Sequence, residues 1–402
     1  MMKRLVVTTA LLALWVCAVP NAASKATIAK PPSAITQVPQ PATATGPRTD
    51  LKGTKTLLIV PVSFTDYPYG DVKLTQNIVF GVTRNFQPFN FRQYLHDVSR
   101  THLLLSDGFQ GTGAHPPPNI VKLGGMPPAC DPKAIIKATQ DALAASKTDT
   151  DRFDYVLIDV SSTIKACTGK DYAAPSEKWM VSMGLSKVET LAYLFGRAAG
   201  FADAKTVGNC AVTQGKWRLN DQCATSSAMD WSDPMSPGHK GMYPVSYQLY
   251  AGWLKDTDNP IVAGADLDRS LPLARIWETR SKKTGGKAPP AEAPVGYRIA
   301  RKDGSFLQIE YRRPYEVFEE WNPTAALAKG VTIRITRVQA RSIASAIVDP
   351  ANAGSGPVQT SLLAGQSLSD DLSGKTITVE SVDANVAKIH IKSISDVSAA
   401  PR

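Results

Sequence analysis

Order along the chain begins with Thr56-Leu57-Leu58-Ile59-Val60-Pro61-Val62-Ser63-Phe64, a nearly continuous apolar run with the β-branched content of a buried strand. Helical spacing takes over at Phe91, Tyr94, Leu95 and Val98, predicting a helix over 91–99, and strand character returns at 103–109. A second helix is predicted over 131–145. Pro132 suits its first turn, and Ile135, Ala138 and Ala142 recur at helical intervals beside Ile136 and Leu143. Residues 153–160, F-D-Y-V-L-I-D-V, read as a central strand. A third helix is expected over 186–199. It opens on Ser186 with Glu189 three residues later, the pattern of a capping box, and Gly200 stops it.

Past a Gly-, Lys- and Pro-rich stretch at 281–294 the pattern becomes all-β, with strands expected at 306–311, 331–338, 375–382 and 386–391. The expected fold class is α+β: a mixed α/β domain at 53–256, a connecting region at 257–296, a β-sandwich at 297–395 and a tail at 396–402. No internal repeat is visible.

The start of the chain concerns its destination. Met1 to Arg4 carry positive charge, an apolar stretch runs from Leu5 to Val19, and Pro20 is followed by Ala22, Ala23 and Ser24. Residues 1–23 therefore read as a signal peptide, cleaved after Ala22 or Ala23. About fifteen apolar residues is short of the roughly twenty that a membrane anchor needs. Cys17 follows Trp15 and Val16, not the small residues of a lipoprotein site. Residues 24–52, rich in Pro, Ala, Ser and Thr, read as a flexible lead or pro-segment. The mature chain is expected to be exported, periplasmic or extracellular, with no membrane span.

The formal net charge of +10 falls to +8 once Lys3 and Arg4 leave with the signal. The charges are scattered and no aromatics interleave the lysines, so nucleic acid is not an expected partner; weak attraction to an anionic envelope remains. With 43% hydrophobic residues over 402 positions, the chain can bury a substantial core. Of five cysteines, Cys17 leaves with the signal. Cys130, Cys167, Cys210 and Cys223 remain in an oxidising compartment, and no C-x-x-C spacing favours a zinc site. Two disulfides are expected, and of three connectivities the preferred one joins Cys130 to Cys167 and Cys210 to Cys223.

The candidate chemistry lies at Tyr193-Leu194-Phe195-Gly196-Arg197-Ala198-Ala199-Gly200-Phe201-Ala202-Asp203. This segment is similar to the long zincin pattern H-E-x-x-H-x-x-G-x-x-H with the glycine kept and every chemical position replaced. In that pattern residues four apart share a helix face, so two imidazoles converge on one ion. The glycine turns the chain to bring a third ligand, and the glutamate activates the zinc-bound water. An ordinary amphipathic helix with a glycine stop would look much the same.

The flanks extend the likeness. Ser227-Ala228-Met229-Asp230 resembles a methionine turn, with Met229 beneath the site. The stretch 243–254, Y-P-V-S-Y-Q-L-Y-A-G-W-L, resembles a segment ending in Leu-Gly-Trp. The opening strand and Phe91-Arg92-Gln93-Tyr94-Leu95-His96-Asp97-Val98-Ser99, then Ile309-Glu310-Tyr311-Arg312-Arg313-Pro314, then Leu362-Leu363-Ala364-Gly365-Gln366-Ser367-Leu368-Ser369-Asp370 follow in the same order. Together, over about residues 55–392, they resemble the gametolysin and immune-inhibitor-A metallopeptidases. The resemblance implies a zincin-like domain followed by a β-sandwich.

It also implies ligand positions at Tyr193, Arg197 and Asp203 and a general-base position at Leu194. Here the departure is complete. The histidines are His96, His102, His115, His239 and His390, none paired as H-x-x-x-H. Tyrosine and aspartate can bind zinc, but arginine stays protonated and cannot. No cofactor is expected, although zinc is the family's metal. The leading expectation is a pseudopeptidase holding a peptide, a protein or an envelope component in its cleft; the alternative is an active secreted metallopeptidase, or another hydrolase, working through non-standard residues. Arg197 and Asp203 are expected to pair in the former zinc site with Tyr193 beside them. Trp231 and Trp253 are expected as core anchors and His239 as an exposed polar residue. Asp370 and Asp371 are expected as loop caps, with a calcium site as the alternative. No G-x-S-x-G elbow or phosphate-cradling loop occurs.

Overall fold

The structure is a computed structural model that describes residues 50–81, 89–108, 119–160, 164–184, 187–213, 215–227, 230–236, 241–276, 293–314, 318–319, 322, 325–350 and 361–394. The expected signal peptide, nearly all of the expected lead, Ser186, Met229, His115, His239 and most of the Gly/Lys/Pro-rich stretch lie outside these residues.

The first half contains β1 (Gly53–Ser63), α1 (Val72–Phe80), α2 (Phe91–Val98), β2 (Leu103–Ser106), β3 (Val121–Lys122), α3 (Pro132–Ala145), β4 (Tyr155–Val160), β5 (Trp179–Met183) and α4 (Val188–Ala199). Its strands form one sheet in which β1, β4 and β5 lie side by side in parallel. On its other edge β1 takes β2 at Gly53–Thr56 and β3 at Val62–Ser63. Alternate residues face opposite ways. Leu57, Ile59, Leu157 and Met180 pack with α2 and α4, whereas Val60, Val62, Ile158 and Val181 pack with Ile135 and Leu143 of α3. Burial on both faces is why 56–64 and 153–160 read as unbroken apolar runs instead of alternating ones. Pro61 is tolerated because neither β2 nor β3 pairs with β1 at that point, so its missing N–H removes no ladder bond there.

The second half contains β6 (Lys205–Gly208), β7 (Ala211–Thr213), β8 (Lys216–Leu219), β9 (Ala224–Ser226), α5 (Val245–Tyr250), β10 (Arg269–Ala274), β11 (Gly296–Ala300), β12 (Phe306–Tyr311), α6 (Ala326–Lys329), β13 (Val331–Gln339), β14 (Ser342–Val348), β15 (Ser367–Asp370), β16 (Lys375–Val382) and β17 (Val386–Ser393). Two six-stranded sheets result, in the orders β10-β17-β16-β15-β8-β7 and β11-β12-β13-β14-β6-β9. Their pairings are antiparallel except β8 with β15 and β6 with β14. One core collects side chains from both sheets: Leu271, Ile377, Ile389 and Ile391 from the first, and Ile299, Leu307, Ile309 and Ile333 from the second. The class is mixed, with helices concentrated around the parallel sheet and nearly helix-free antiparallel sheets beyond it, in keeping with α+β. Strands from 205–226 lie inside the two later sheets, and the described residues belong to one compact unit.

Cys130 is joined to Cys167 and Cys210 to Cys223. The first bridge lies in the core under α3, and the second ties the approach to β7 to the approach to β9. Among the described residues no helix is long and apolar enough to cross a membrane.

One boundary departs from expectation. Helix α4 begins at Val188 with Lys187 at the cap position, and Lys187 supplies no side-chain capping bond. Glu189 therefore sits in the first turn, where it complements the helix dipole, and not at the third position of a capping box built on Ser186.

Candidate functional site

Helix α4 buries Leu191, Ala192, Leu194, Phe195, Ala198 and Ala199 and leaves Tyr193 and Arg197 on its outer face. These two are four residues apart and so stand one turn above the other. Leu194, at the general-base position of the resembled pattern, is fully buried in the core. Gly196 lies on the inner side, where an added Cβ would come within 2.3 Å of Met235 Sδ.

At Gly200 the chain turns back. Its φ of 89° is left-handed, and a Cβ there would lie 2.3 Å from the Arg341 carbonyl oxygen. Glycine is required on both counts. The returning segment is fixed by backbone bonds to β14: Ala202 N–H donates to Ile343 O at 2.9 Å, and Ile343 N–H donates to Gly200 O at 2.9 Å. Phe201 is anchored among aromatics, stacked on Tyr247 at 4.6 Å and edge-on to Tyr243 at 4.9 Å. These rings belong to the aromatic-rich 243–254 stretch, now seen to carry the floor beneath the turn.

This turn delivers Asp203 to the outer face of α4. Asp203 Oδ1 accepts from Tyr193 Oη at 3.0 Å and from Arg197 Nη1 at 3.0 Å. Arg197 Nε also points to Ala173 O at 3.5 Å. The three positions that the sequence set apart are thus brought together, with Leu194 turned away from them. The side chains of Arg197 and Asp203 are 33% and 52% exposed, so solvent screens the pair. Burial, and then the Asp203 charge, push the Tyr193 hydroxyl up to about 12. Nearby, burial raises the Asp171 carboxyl, which accepts from Met183 N–H at 2.8 Å. The Tyr172 hydroxyl reaches Glu177 at 3.3 Å.

Zinc does not fit this donor set. One of the three positions holds a permanent cation, Asp203 Oδ1 is already engaged by two donors, and an apolar side chain stands where the general base would be. Among the described residues no group of three or more His, Cys, Asp and Glu side chains is arranged to hold a metal.

The methionine beneath the helix among the described residues is Met235, whose carbonyl also accepts from Ala204 N–H at 3.1 Å. Trp253 is a core anchor, with Nε1 donating to Leu51 O at 2.7 Å. Trp231 corrects its expectation: it is 40% exposed, because its neighbours Asp230 and Ser232 turn inward and leave the intervening side chain outside. Asp370 is a loop cap, accepting from Ser373 N–H at 2.8 Å and from Arg301 Nη2 at 2.9 Å. Asp371 pairs with Arg218 at 3.2 Å. Both carboxylates are therefore engaged by guanidinium groups.

Sequence reasoning missed a second charged assembly. Arg312, Arg334, Glu310, Glu319, Asp230 and Asp233 are all 0% exposed. Arg334 meets Glu310 at 2.9 Å, Asp230 at 2.8 Å and Asp233 at 3.3 Å, and donates to Ser232 Oγ at 2.6 Å. Arg312 bonds Glu319 and the carbonyls of Ser232 and Met242. Glu310 and Glu319 in turn accept from the backbone N–H groups of Val245 and Met242. The signal for it was a period of two: Gln308, Glu310 and Arg312 share one face of β12 and the residue after it, opposite Leu307, Ile309 and Tyr311, and Arg334 sits with Thr332 and Thr336 on the face of β13 opposite Val331, Ile333 and Ile335. No family model, no curated protein and no solved structure matches the chain.

Proposed function

We propose that the chain is an exported protein on the plan of the gametolysin and immune-inhibitor-A metallopeptidases that has lost zinc binding and peptide cleavage and holds a peptide, protein or envelope partner in the remaining cleft. The observation that carries this reading is the Tyr193–Asp203–Arg197 arrangement. The helix, the glycine turn and the returning residue converge as a metal site requires, and a guanidinium takes the place of the cation. Two sheets sharing one apolar core support the β-sandwich half of the plan. Two disulfides support export to an oxidising compartment.

The test joins metal analysis to a peptidase assay. Protein purified and incubated with zinc is expected to carry well under one zinc per chain and to leave a broad peptide library uncut. Stoichiometric zinc, with cleavage that a chelator stops and Asp203→Ala abolishes, overturns the reading. Partner capture from the native envelope, compared between wild type and Arg197→Glu, then asks whether the same face does the binding.

A further inference from the structure

The buried charge assembly holds four carboxyl groups and two guanidinium groups. With all six ionised, the set itself would carry a net charge of −2 on side chains with no solvent exposure. Isolated buried charge is costly enough that such groups take up protons instead. The geometry shows where. Glu310 is the best supported anion, facing Arg334 at 2.9 Å and Arg312 at 3.7 Å and accepting from Val245 N–H. Asp230 and Asp233 crowd the same Nη1 atom of Arg334, so their charges repel across one cation. Among the described residues, Glu319 Oε2 is buried with no hydrogen-bond partner.

We propose that this assembly is a proton-held latch, which fastens residues 230–236 to β12 and β13 while it retains its protons and slackens them when the protons leave. The groups facing Asp233 come from every packed element: Asp230 on its own loop, Arg334 of β13, Arg312 just beyond β12, Tyr94 of α2, Tyr243, and Tyr247 of α5. Among the described residues the two arginines are the only cations in this set. The Asp233 carboxyl is pushed up to about 7, first by burial and then, against the pull of Arg334, by the Asp230 charge; burial likewise raises Glu319. A carboxyl raised above its ordinary range binds its proton more tightly in the folded than in the unfolded chain. Its contribution to stability is therefore complete below about pH 4 and is lost as pH rises to about 7.

The consequence reaches the surface. Met235 lies in the latched segment, packs under Gly196 of α4 and accepts the Ala204 N–H next to Asp203. Alkaline slackening would thus loosen the support of the Arg197–Asp203 face. The latch stands whether or not that face binds a partner.

Proton release on unfolding is measured by calorimetry at pH 5.5 in buffers of different ionisation enthalpy. Asp233→Asn is expected to release about one proton fewer than wild type, from the linkage of one group. Its thermal midpoint relative to wild type is expected to rise between pH 5 and pH 8. Asp230→Asn, which removes the other half of the crowded pair, gives the second measurement if Asp233→Asn does not fold. Hydrogen exchange at Met235 and Ala204, normalised to an unstructured peptide at each pH, is expected to accelerate toward pH 8 in wild type. Equal proton release in wild type and a folded variant, or exchange with no pH dependence after normalisation, overturns the latch.

Discussion

Arg197 and Arg334 both sit among carboxylates, but in opposite settings. Arg197 meets Asp203 on a helix face where the first side chain is partly and the second half exposed, whereas Arg334 meets three carboxylates with no exposure at all. At the surface, water has already solvated both partners, so the ion pair adds little and its use lies in shaping a face. In the interior, each charge depends on its neighbours, and removing one strands the rest. Similar residue types therefore shape an exposed face in one place and give cohesion in the other.

The largest effect is expected where cohesion is broken. Arg334→Met should cost about 3–5 kcal/mol, because it leaves Asp230 and Asp233 buried without the cation they share and Glu310 with only the more distant Arg312. Urea unfolding at pH 7 measures this, and a loss below about 1 kcal/mol would make the two arginines alike and dissolve the contrast. Gly200→Ala comes next, at about 1–3 kcal/mol, for left-handed backbone strain combined with the approach of Arg341 O. That variant asks whether the turn or the ion pair positions Asp203; an unchanged midpoint would give the role to the pair.

Asp203→Ala should cost less than about 1 kcal/mol, and the difference should shrink in high salt. A larger, salt-independent loss would show the surface pair to be structural after all. The smallest effect is spectroscopic. The Tyr193 hydroxyl, held up to about 12, should titrate at lower pH in Asp203→Asn once the neighbouring charge is gone. Because its proton is held more tightly in the folded chain, this group's contribution to stability falls as pH rises from about 10 to about 12. NMR of the labelled tyrosine ring reports the shift, and an unmoved titration would place Asp203 away from the hydroxyl in solution.

How much of this was readable depends on whether a residue's partner is near in sequence. The strands at β1, β4, β12, β13, β16 and β17 and the helices α2, α3 and α4 announced themselves because periodicity is local. Gly200 marked the end of α4 for the same reason. Helix α1 was silent, since Thr75, Gln76 and Asn77 are buried polar residues that erase an apolar stripe. Strands β6 to β9 are three or four residues each, too short to show a period. Tyr193, Arg197 and Asp203 could be brought together on paper because helix spacing and one turn connect them. The Arg334 assembly could not, as its members lie as far apart as Asp230 and Arg334 and meet only through folding.

The weaving of residues 205–226 into both later sheets carries a practical meaning for anyone dividing this gene. A fragment starting at 257 would lack β6 beside β14 and β8 beside β15, leaving two bare strand rims with unsatisfied backbone groups. Rims of that kind recruit other chains, so the excised piece is expected to clump on expression, whereas a fragment starting at 205 keeps both seams closed.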